Sequence, residues 1–434
     1  MKHTRSTKSI LIAAAAALSI ATASAQETIY ITGSTAFRSA ANGALLSLYG
    51  ANLAATDKAT TTDATAGNLL FTNCLVGGST VHIAVAWSGS DAGMQTVAAG
   101  ANNKRLPFYD LAKIQALGGS FPKLSLAGGS MSTLAINANT SLAKGTIGFA
   151  DTFQGASVFN AGKAPDGAIY NPLTFTTIGV CPFNFVASRE FPYTDITTTT
   201  ACDLMERGNT TMNLFSGNGS DTNQKIWFMG RNPDSGTRIT TLMVAKYGAQ
   251  TPVLQFTPTV GSGTITALAK SASGNINGII IAAGNNGESS GGTLCNYTTN
   301  RFSPTVTVPL GFSRGASNYA ITYAGVSDVK NVQSKGAVAL TYNGVKGRLY
   351  DPATATTSLD EGYTNIITGR YPFWCYEHIT YDPLYATTAA INVVTALADY
   401  ITALSTTSSV LAPNIALADM LVKRTKDGGV IQPK

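Results

Sequence analysis

An arginine, an aspartate and a Ser-Gly-Thr triplet crowd one turn of this chain, GRNPDSGTR at residues 230–238, between the apolar run KIWFM and the segment TRITTLMVAKYG. A plain turn needs only its Asn, Pro, Asp and Gly. Arg231 adds a planar fork of donors that matches the oxygens of a carboxylate or phosphate. Ser235 and Thr237 add hydroxyls that can donate to the same oxygens. A helix starting here would contribute free N–H groups and the positive end of its dipole. The chemistry suggested is capture of an anion.

Other residues could do other chemistry. Gly287-Glu288-Ser289-Ser290-Gly291 fits the G-x-S-x-G pattern of a nucleophile elbow, and IIIAA precedes it. An elbow must open a helix, whereas TLCNYTTN and then Pro304 follow, so no helix is expected there. Past the first 25 residues the chain holds two histidines, His82 and His378. His82 lies inside an apolar strand, the setting of a satisfied core residue; His378, in PFWCYEHIT, is more open. A serine hydrolase is therefore disfavoured. So is a metal-dependent phosphatase, because the chain lacks a dense Asp/His ligand set. Cys74, Cys181, Cys202, Cys295 and Cys375 form no CxxC pair and no Cys/His cluster of zinc spacing. No metal and no cofactor are expected. Cys181 and Cys202 are the closest in sequence and the candidates for a bridge in an exported chain.

The elements that must position the anion-binding turn repeat one plan. TIYITGSTAFRSAANGALLSLYG reads as a strand over 28–32, a Gly33-Ser34-Thr35 turn, then a helix with Phe37, Ala41, Ala44, Leu45 and Leu48 on one face. VHIAVAWSGSDAGMQTVAAG gives a strand over 81–87, the turn Ser88-Gly89-Ser90 and a short helix. KGTIGFADTFQGAS gives a strand over 146–150 with Asp151-Thr152 at its carboxyl end. The arginine turn is the fourth case, with Ile239, Leu242, Met243 and Tyr247 on the helix face and Gly248 closing it. Strands alternating with helices predict α/β layers and mostly parallel sheets. The Gly/Thr/Asn-rich stretch from 250 to 310 reads as hairpins and loops, and a last helix is expected over about 386–404. Each strand end carries Ser, Thr, Asp or Arg where a helix would begin. In open α/β sheets ligands lie beyond those ends. Any one such turn is ordinary capping; four of them, one with an arginine, point to a shared oxyanion pocket.

Composition sets the surroundings. The chain opens MKHTRSTKSILIAAAAALSIATASAQ, a basic start, an apolar stretch from Ile10 to Ile20 and a small-residue Ala23-Ser24-Ala25 site. This is the pattern of a secretory signal cleaved after Ala25, with residues 26 onward exported to the periplasm. No later apolar run approaches the ~20 residues of a membrane span, so no membrane insertion is expected after cleavage. Losing Lys2, Arg5 and Lys8 brings the net charge from +6 to +3, which gives no footprint for nucleic acid or an anionic membrane. Charged residues make up 12% of the chain, about half the usual share, with Gly, Thr, Ser, Ala and Asn in their place. Such a composition also suits an exported adhesion protein of β-rich segments, but the strand–turn–helix series does not.

Arg231-x-x-x-Ser235-Gly236-Thr237 resembles the R-x-x-x-S-G-T turn of the periplasmic phosphate-binding proteins that serve phosphate ABC transporters. In the same chain order, Gly33-Ser34-Thr35-Ala36-Phe37 resembles that family's first loop and Ser88-Gly89-Ser90 its serine-bearing second loop. Phe149-Ala150-Asp151 is similar to its Ala-Ser-Asp strand end, 320–325 to its Ala-Ile-Gly-Tyr strand, and 370–373 to its Tyr-Pro crossover. The matches span most of the exported chain. Ala36 between Thr35 and Phe37, and extra segments near 99–145 and 250–310, depart from the pattern. The resemblance implies an α/β, two-lobed type II periplasmic binding protein fold with a hinge and central ligand cleft. Lobe 1 would hold 26–175 plus 371–434 and lobe 2 176–370. It implies a monomer that binds inorganic phosphate and meets an ABC transporter permease. Ser34, Thr35, Ala36, Phe37, Ser88, Gly89 and Ser90 would supply donors from lobe 1, and Asp151 would accept a proton from the ligand. Arg231, Ser235, Gly236 and Thr237 would bind from lobe 2. Sulfate, molybdate or tungstate is the alternative ligand. Fully deprotonated anions favour donor-only sites, so Asp151 is the discriminating residue.

Overall fold

The computed structural model describes residues 26–57, 65–98, 100, 104–116, 136–276, 279–349 and 360–434. The expected signal over 1–25 and much of the extra 99–145 segment lie outside the described residues. In chain order the main elements are β1 (Thr28–Gly33), α1 (Arg38–Tyr49), β2 (Leu53–Thr56), β3 (Asn68–Val76), β4 (Ser79–Trp87), α2 (Ser90–Val97) and β5 (Ile147–Ala150). Next come β6 (Thr174–Ala187), β7 (Asn209–Thr211), β8 (Gln224–Phe228), α3 (Gly236–Val244), β9 (Phe256–Gly261), β10 (Thr264–Lys270) and α4 (Gly291–Tyr297). The chain closes with β11 (Arg301–Thr307), β12 (Ser317–Gly325), α5 (Val326–Gln333), β13 (Trp374–Tyr381) and α6 (Thr388–Thr402).

One large sheet runs in the order β7-β8-β12-β6-β13-β5-β1-β4-β3-β2. The architecture is α/β, but the sheet is mixed and not mostly parallel. β1 pairs in parallel with β4 and β5, and β8 with β12; the other neighbours along this path are antiparallel. The reason is local. Gly77 and Gly78, both at positive φ, make the tight turn that folds β3 and β4 into a hairpin, and a hairpin is antiparallel. The long strands β6 and β13 also run against each other. β6 has 14 residues, or ~46 Å of extended chain. Thr174–Pro182 pair with β13 and Phe183–Ala187 with β12, so one strand carries the chain from one half of the sheet to the other. Phe183, Phe185, Tyr342 and Phe373 pack together beside this hand-over.

The amphipathic faces meet that sheet. On α1, Ala41, Ala44 and Leu45 are buried while Leu48 lies at the rim. α1 packs against α6, and α6 against β6. Thr387 caps α6, accepting from Ala390 N–H at 3.1 Å, and Val393, Val394, Leu397 and Ile401 are buried. On α3, Ile239 and Leu242 are buried and Met243 half-buried; the helix ends at Val244, before the half-buried Tyr247. Two local expectations fail. No helix follows β5, only a single 3-10 turn at Gln154–Ala156. A helix does follow GESSG, namely α4, capped by Ser290, which accepts from Thr293 N–H. Cys181 and Cys202 do not bridge. Cys181 is the cross-strand partner of Cys375, and the Cys202 thiol donates to Ala245 O. The 250–310 segment forms the β9–β10 hairpin with β11 beside it.

Gly33 ends β1 at φ 122°, and a Cβ there would lie 2.0 Å from Phe149 O of the neighbouring strand. Only glycine lets β1 and β5 stay paired while the chain turns into the Ser34 loop. Gly33→Ala combines a disallowed φ with overpacking and is expected to lower stability by about 2–4 kcal/mol. Urea unfolding measures it; a loss under about 0.5 kcal/mol would show that the strand ends can move apart freely.

Candidate functional site

The segments that follow β1, β4, β5 and β8 meet one another. At the first, Ser34 N–H donates to Phe149 O at 2.8 Å and Gly89 N–H to Gly33 O at 2.9 Å, stitching the ends of β5, β1 and β4 together. Ser34 Oγ accepts from Phe37 N–H. The Phe37 ring is fully buried and lies against Gly179 of β6. Phe37 is thus a core plug whose N–H is already used, as are those of Ser34 and Gly89. Thr35 and Ala36 between them are half-buried. At the second end, Ser88 Oγ bonds Thr32 Oγ1 at 2.9 Å. Gly89, at φ 95°, turns the chain so that Ser90 starts α2.

Asp151, at the end of β5, is 1% exposed. Ser90 Oγ–H donates to its Oδ1, and Thr237 Oγ1–H to its Oδ2 at 3.3 Å. One carboxyl therefore takes a hydroxyl from each half of the sheet. Gly236 makes this approach possible, since a Cβ there would lie 1.6 Å from Asp151 Oδ1. Ser235 caps α3, accepting from Arg238 N–H at 3.3 Å. This leaves the Gly236 and Thr237 N–H groups without intrahelical partners. Asp91 N–H donates to Asp234 O at 3.2 Å, a second link between the starts of α2 and α3.

Arg231 is 3% exposed. Its Nε–H donates to Glu288 O at 3.0 Å and Nη2–H to Ser289 O at 2.8 Å, while its backbone N–H donates to Tyr323 Oη at 3.1 Å. Two of the five guanidinium N–H bonds are spent on carbonyls. Among the described residues the ion pairs in contact are Arg207–Asp203 and Arg301–Glu190, so the Arg231 charge has no carboxylate directly on it. It does act on several nearby. Burial raises Asp151, Asp234 and Asp328 above the usual carboxylate range, and Arg231 pulls each back down.

The sequence reading missed the other acids of this neighbourhood. Asp91 and Glu377 are fully buried, and burial pushes both well up. Asp427 is 3% exposed and accepts from Phe153 N–H at 2.9 Å. Burial pushes it from 3.8 to about 7, with Asp151 adding to the rise. Asp91 and Asp234 sit inside the quoted SGSD and RNPDSGT stretches and could have been picked from adjacency. Asp427, at the far end of the chain, left no signal.

The hydrolase residues are not assembled. Ser289 is exposed, and its carbonyl holds Arg231. His378 is fully buried in β13, bonded to Thr177 Oγ1 at 3.0 Å and packed on Phe153, with burial pushing its pKa down to about 3. His82 Nδ1 accepts from Asn73 N–H at 3.4 Å within the β3–β4 hairpin. Among the described residues no cluster of His, Cys, Asp and Glu could hold a metal, and no helix is long and apolar enough to cross a membrane.

No protein-family profile matches this chain, and no curated protein sequence does. Solved structures similar in chain path include phosphate ABC transporter substrate-binding proteins. One, described as such and holding bound phosphate, comes from Clostridium perfringens: 14% identity, 92% of this chain and 100% of that one, TM-score 0.45. PstS from Borrelia burgdorferi is 14% identical over 90% of this chain and 99% of that one, TM-score 0.37. An ABC-type phosphate transport receptor from Vibrio cholerae is 12% identical over 86% and 96%, TM-score 0.38.

The buried acids fix a pH dependence. A carboxyl whose folded pKa lies above its unfolded value binds its proton more tightly in the folded protein. Its contribution is complete at low pH and is lost as pH rises through the folded pKa. For Asp427 that window runs from 3.8 to about 7, and Asp91, Asp151 and Glu377 shift in the same direction. The melting temperature should rise as pH falls from about 8 to about 5. Asp427→Asn, which keeps an acceptor for Phe153 N–H, should flatten that slope. An unchanged slope in the variant would remove Asp427 as a cause.

Proposed function

We propose that this protein is an exported binding protein that captures a small tetrahedral oxyanion, foremost inorganic phosphate, and delivers it to an ABC transporter permease. In this reading residues 26–175 plus 371–434 and residues 176–370 are two lobes hinged on β6 and the segment entering β13. The ligand lies between them, and the protein acts as a monomeric carrier in the periplasm, not as an enzyme. Ser90, Asp151 and the Thr35–Ala36 loop contribute from one lobe, and Arg231, Gly236 and Thr237 from the other. Ser34, Phe37, Ser88, Gly89 and Ser235 hold those loops in shape.

The observation that carries the reading is the state of Arg231. Its guanidinium is buried, braced on one edge by two carbonyls, and free of any contacting carboxylate, on a turn whose Thr237 hydroxyl donates to Asp151. A buried cation with unused donors is costly unless an anion completes it. Truncating such a charged partner costs about 2–5 kcal/mol. Arg231→Ala should therefore weaken phosphate binding by about 30-fold or more, measured by calorimetric titration with folding checked by circular dichroism. Unchanged affinity would sink the assignment.

Asp151 decides among oxyanions. One proton is needed between its carboxyl and a ligand oxygen; without it two acceptors face each other. Phosphate brings that proton near neutral pH and sulfate does not. Sulfate can bind only when Asp151 is protonated, and burial moves Asp151 in that direction. Sulfate affinity should thus climb as pH falls, while phosphate should change much less. Asp151→Asn, whose amide donates at every pH, should bind sulfate without that dependence. Competition titrations across pH settle the matter: equal binding of both anions by the wild type at neutral pH would favour sulfate, molybdate or a relative as the ligand.

A further inference from the structure

The brace on Arg231 comes from the loop over residues 284–289, in the extra 250–310 segment. Glu288 N–H donates to Gly230 O at 3.0 Å and Asn232 N–H to Glu288 O at 3.1 Å, so the loop runs beside the arginine turn as a one-residue parallel bridge. This bridge brings Glu288 O and Ser289 O onto the guanidinium. A single bridge is a weak register. Two buried side chains tie it: Arg238, which donates to Arg231 O at 3.0 Å and to Asn285 O at 2.6 Å, and Gln255.

Gln255 is fully buried just before β9. Its backbone N–H donates to Gly284 O at 2.8 Å. Its side-chain Nε2 donates to Arg231 O at 3.0 Å and also to Asn286 O. The amide therefore spans the arginine turn and the bracing loop. Both neighbours are acceptors, which fixes the amide nitrogen on that side. The other end, Oε1, is buried with no hydrogen-bond partner among the described residues, a destabilising arrangement. Glycines make room for the amide: a Cβ at Gly230 would lie 2.1 Å from Oε1, and one at Gly287 would lie 2.3 Å from Nε2. An apolar side chain of the same length would fill this space without the orphaned acceptor but would take from Asn286 O its Gln255 donor, while Arg231 O would keep Arg238, so the two effects on stability offset.

We propose that Gln255 is a positioning residue. It locks the 284–289 loop to the arginine turn, so that Glu288 O and Ser289 O hold the Arg231 guanidinium in one orientation with its remaining N–H groups directed to the anion. This rests on the oxyanion reading above. Without Gln255 the loop keeps the Arg238 link at Asn285 but loses the one at Asn286, nearer the bracing carbonyls; the arginine side chain then regains rotamers, and ordering it again weakens binding by roughly 10–30-fold.

The test uses Gln255→Met in the full chain, alone and with Arg231→Ala. Phosphate affinity is read by calorimetry, ligand-free melting temperature by calorimetric scanning, and the Arg231 Nε–H resonance by nitrogen-15 NMR, assigned by its loss in Arg231→Ala. Gln255→Met trades the orphaned Oε1 for an Asn286 O without its Gln255 donor and is expected to leave the ligand-free melting temperature nearly unchanged. It should weaken phosphate roughly 10–30-fold, merge the Arg231 Nε–H signal with those of freely exchanging arginines, and change affinity less than about twofold when Arg231 is already alanine. A variant that unfolds or melts well below wild type would overturn the proposal, because the glutamine would then be structural. An affinity loss of equal size in both backgrounds would overturn it too. If the wild type binds no phosphate, the oxyanion reading fails by itself. The Arg231 signal then decides the positioning role alone, its loss in Gln255→Met supporting that role and its persistence refuting it.

Discussion

The carboxyl of Asp151 is the point at which the two halves of this molecule must agree. It is buried and takes one hydroxyl from Ser90 and one from Thr237, which reach it along different strands and helices. Each partner depends on a backbone choice. Ser90 is delivered by Gly89 at positive φ, and Thr237 by Gly236, whose missing Cβ leaves room for the carboxylate. Asp151 itself is placed by β5, whose pairing with β1 requires Gly33. A buried carboxyl left without donors would lose far more than a surface one. The register of the central sheet, the start of α2 and the start of α3 are therefore coupled through one side chain.

That coupling was partly legible in the sequence. The strand–turn–helix units at 28–49, 81–97 and 224–244 follow from periodicity and turn chemistry, because both are local. The arginine turn was legible for the same reason. Phe37 carried two readings: periodicity put it on the apolar face with Ala41 and Leu45, and it does plug the core under Gly179, whereas only the family resemblance made it a ligand residue. The helix α4 was missed because TLCNYTTN and Pro304 argue against one. At its start a Cβ on Gly291 would lie 2.4 Å from Asp328 Oδ2, so close packing favours the glycine there over a better helix former. The mixed sheet was missed because strand direction depends on which strands become neighbours, and β6 and β13 are nearly 200 residues apart in the chain.

Least legible was the electrostatic interior. Only 12% of the chain is charged, yet Asp91, Asp151, Glu377, Asp427, Arg231, Arg238 and Arg424 are all buried. Composition suggested a weakly charged protein, and what the fold does is move scarce charges inward. The arginines are treated differently from the acids. Arg238 donates to Arg231 O and Asn285 O. Arg424 donates to Trp374 O and Pro372 O and stacks 3.7 Å from the Trp374 ring. Their charges are spread over carbonyls and a ring, as suits a planar cation with a fork of donors.

The acids receive fewer donors, and burial drives them toward their neutral forms. A chain selected for stability alone would replace such groups with apolar ones, since a buried charged set rarely outperforms well-packed hydrophobes. Keeping cations braced by carbonyls beside acids held near neutrality has a different effect. The positive charge of Arg231 has no contacting carboxylate among the described residues, while burial favours the protonated forms of the acids around it. In the proposed function such a pocket would recognise the charge of an anion through the arginine and the protonation state of that anion through Asp151. The two properties are set by different residues on different halves of the sheet, so closing the halves on each other is what would bring both to bear on one ligand.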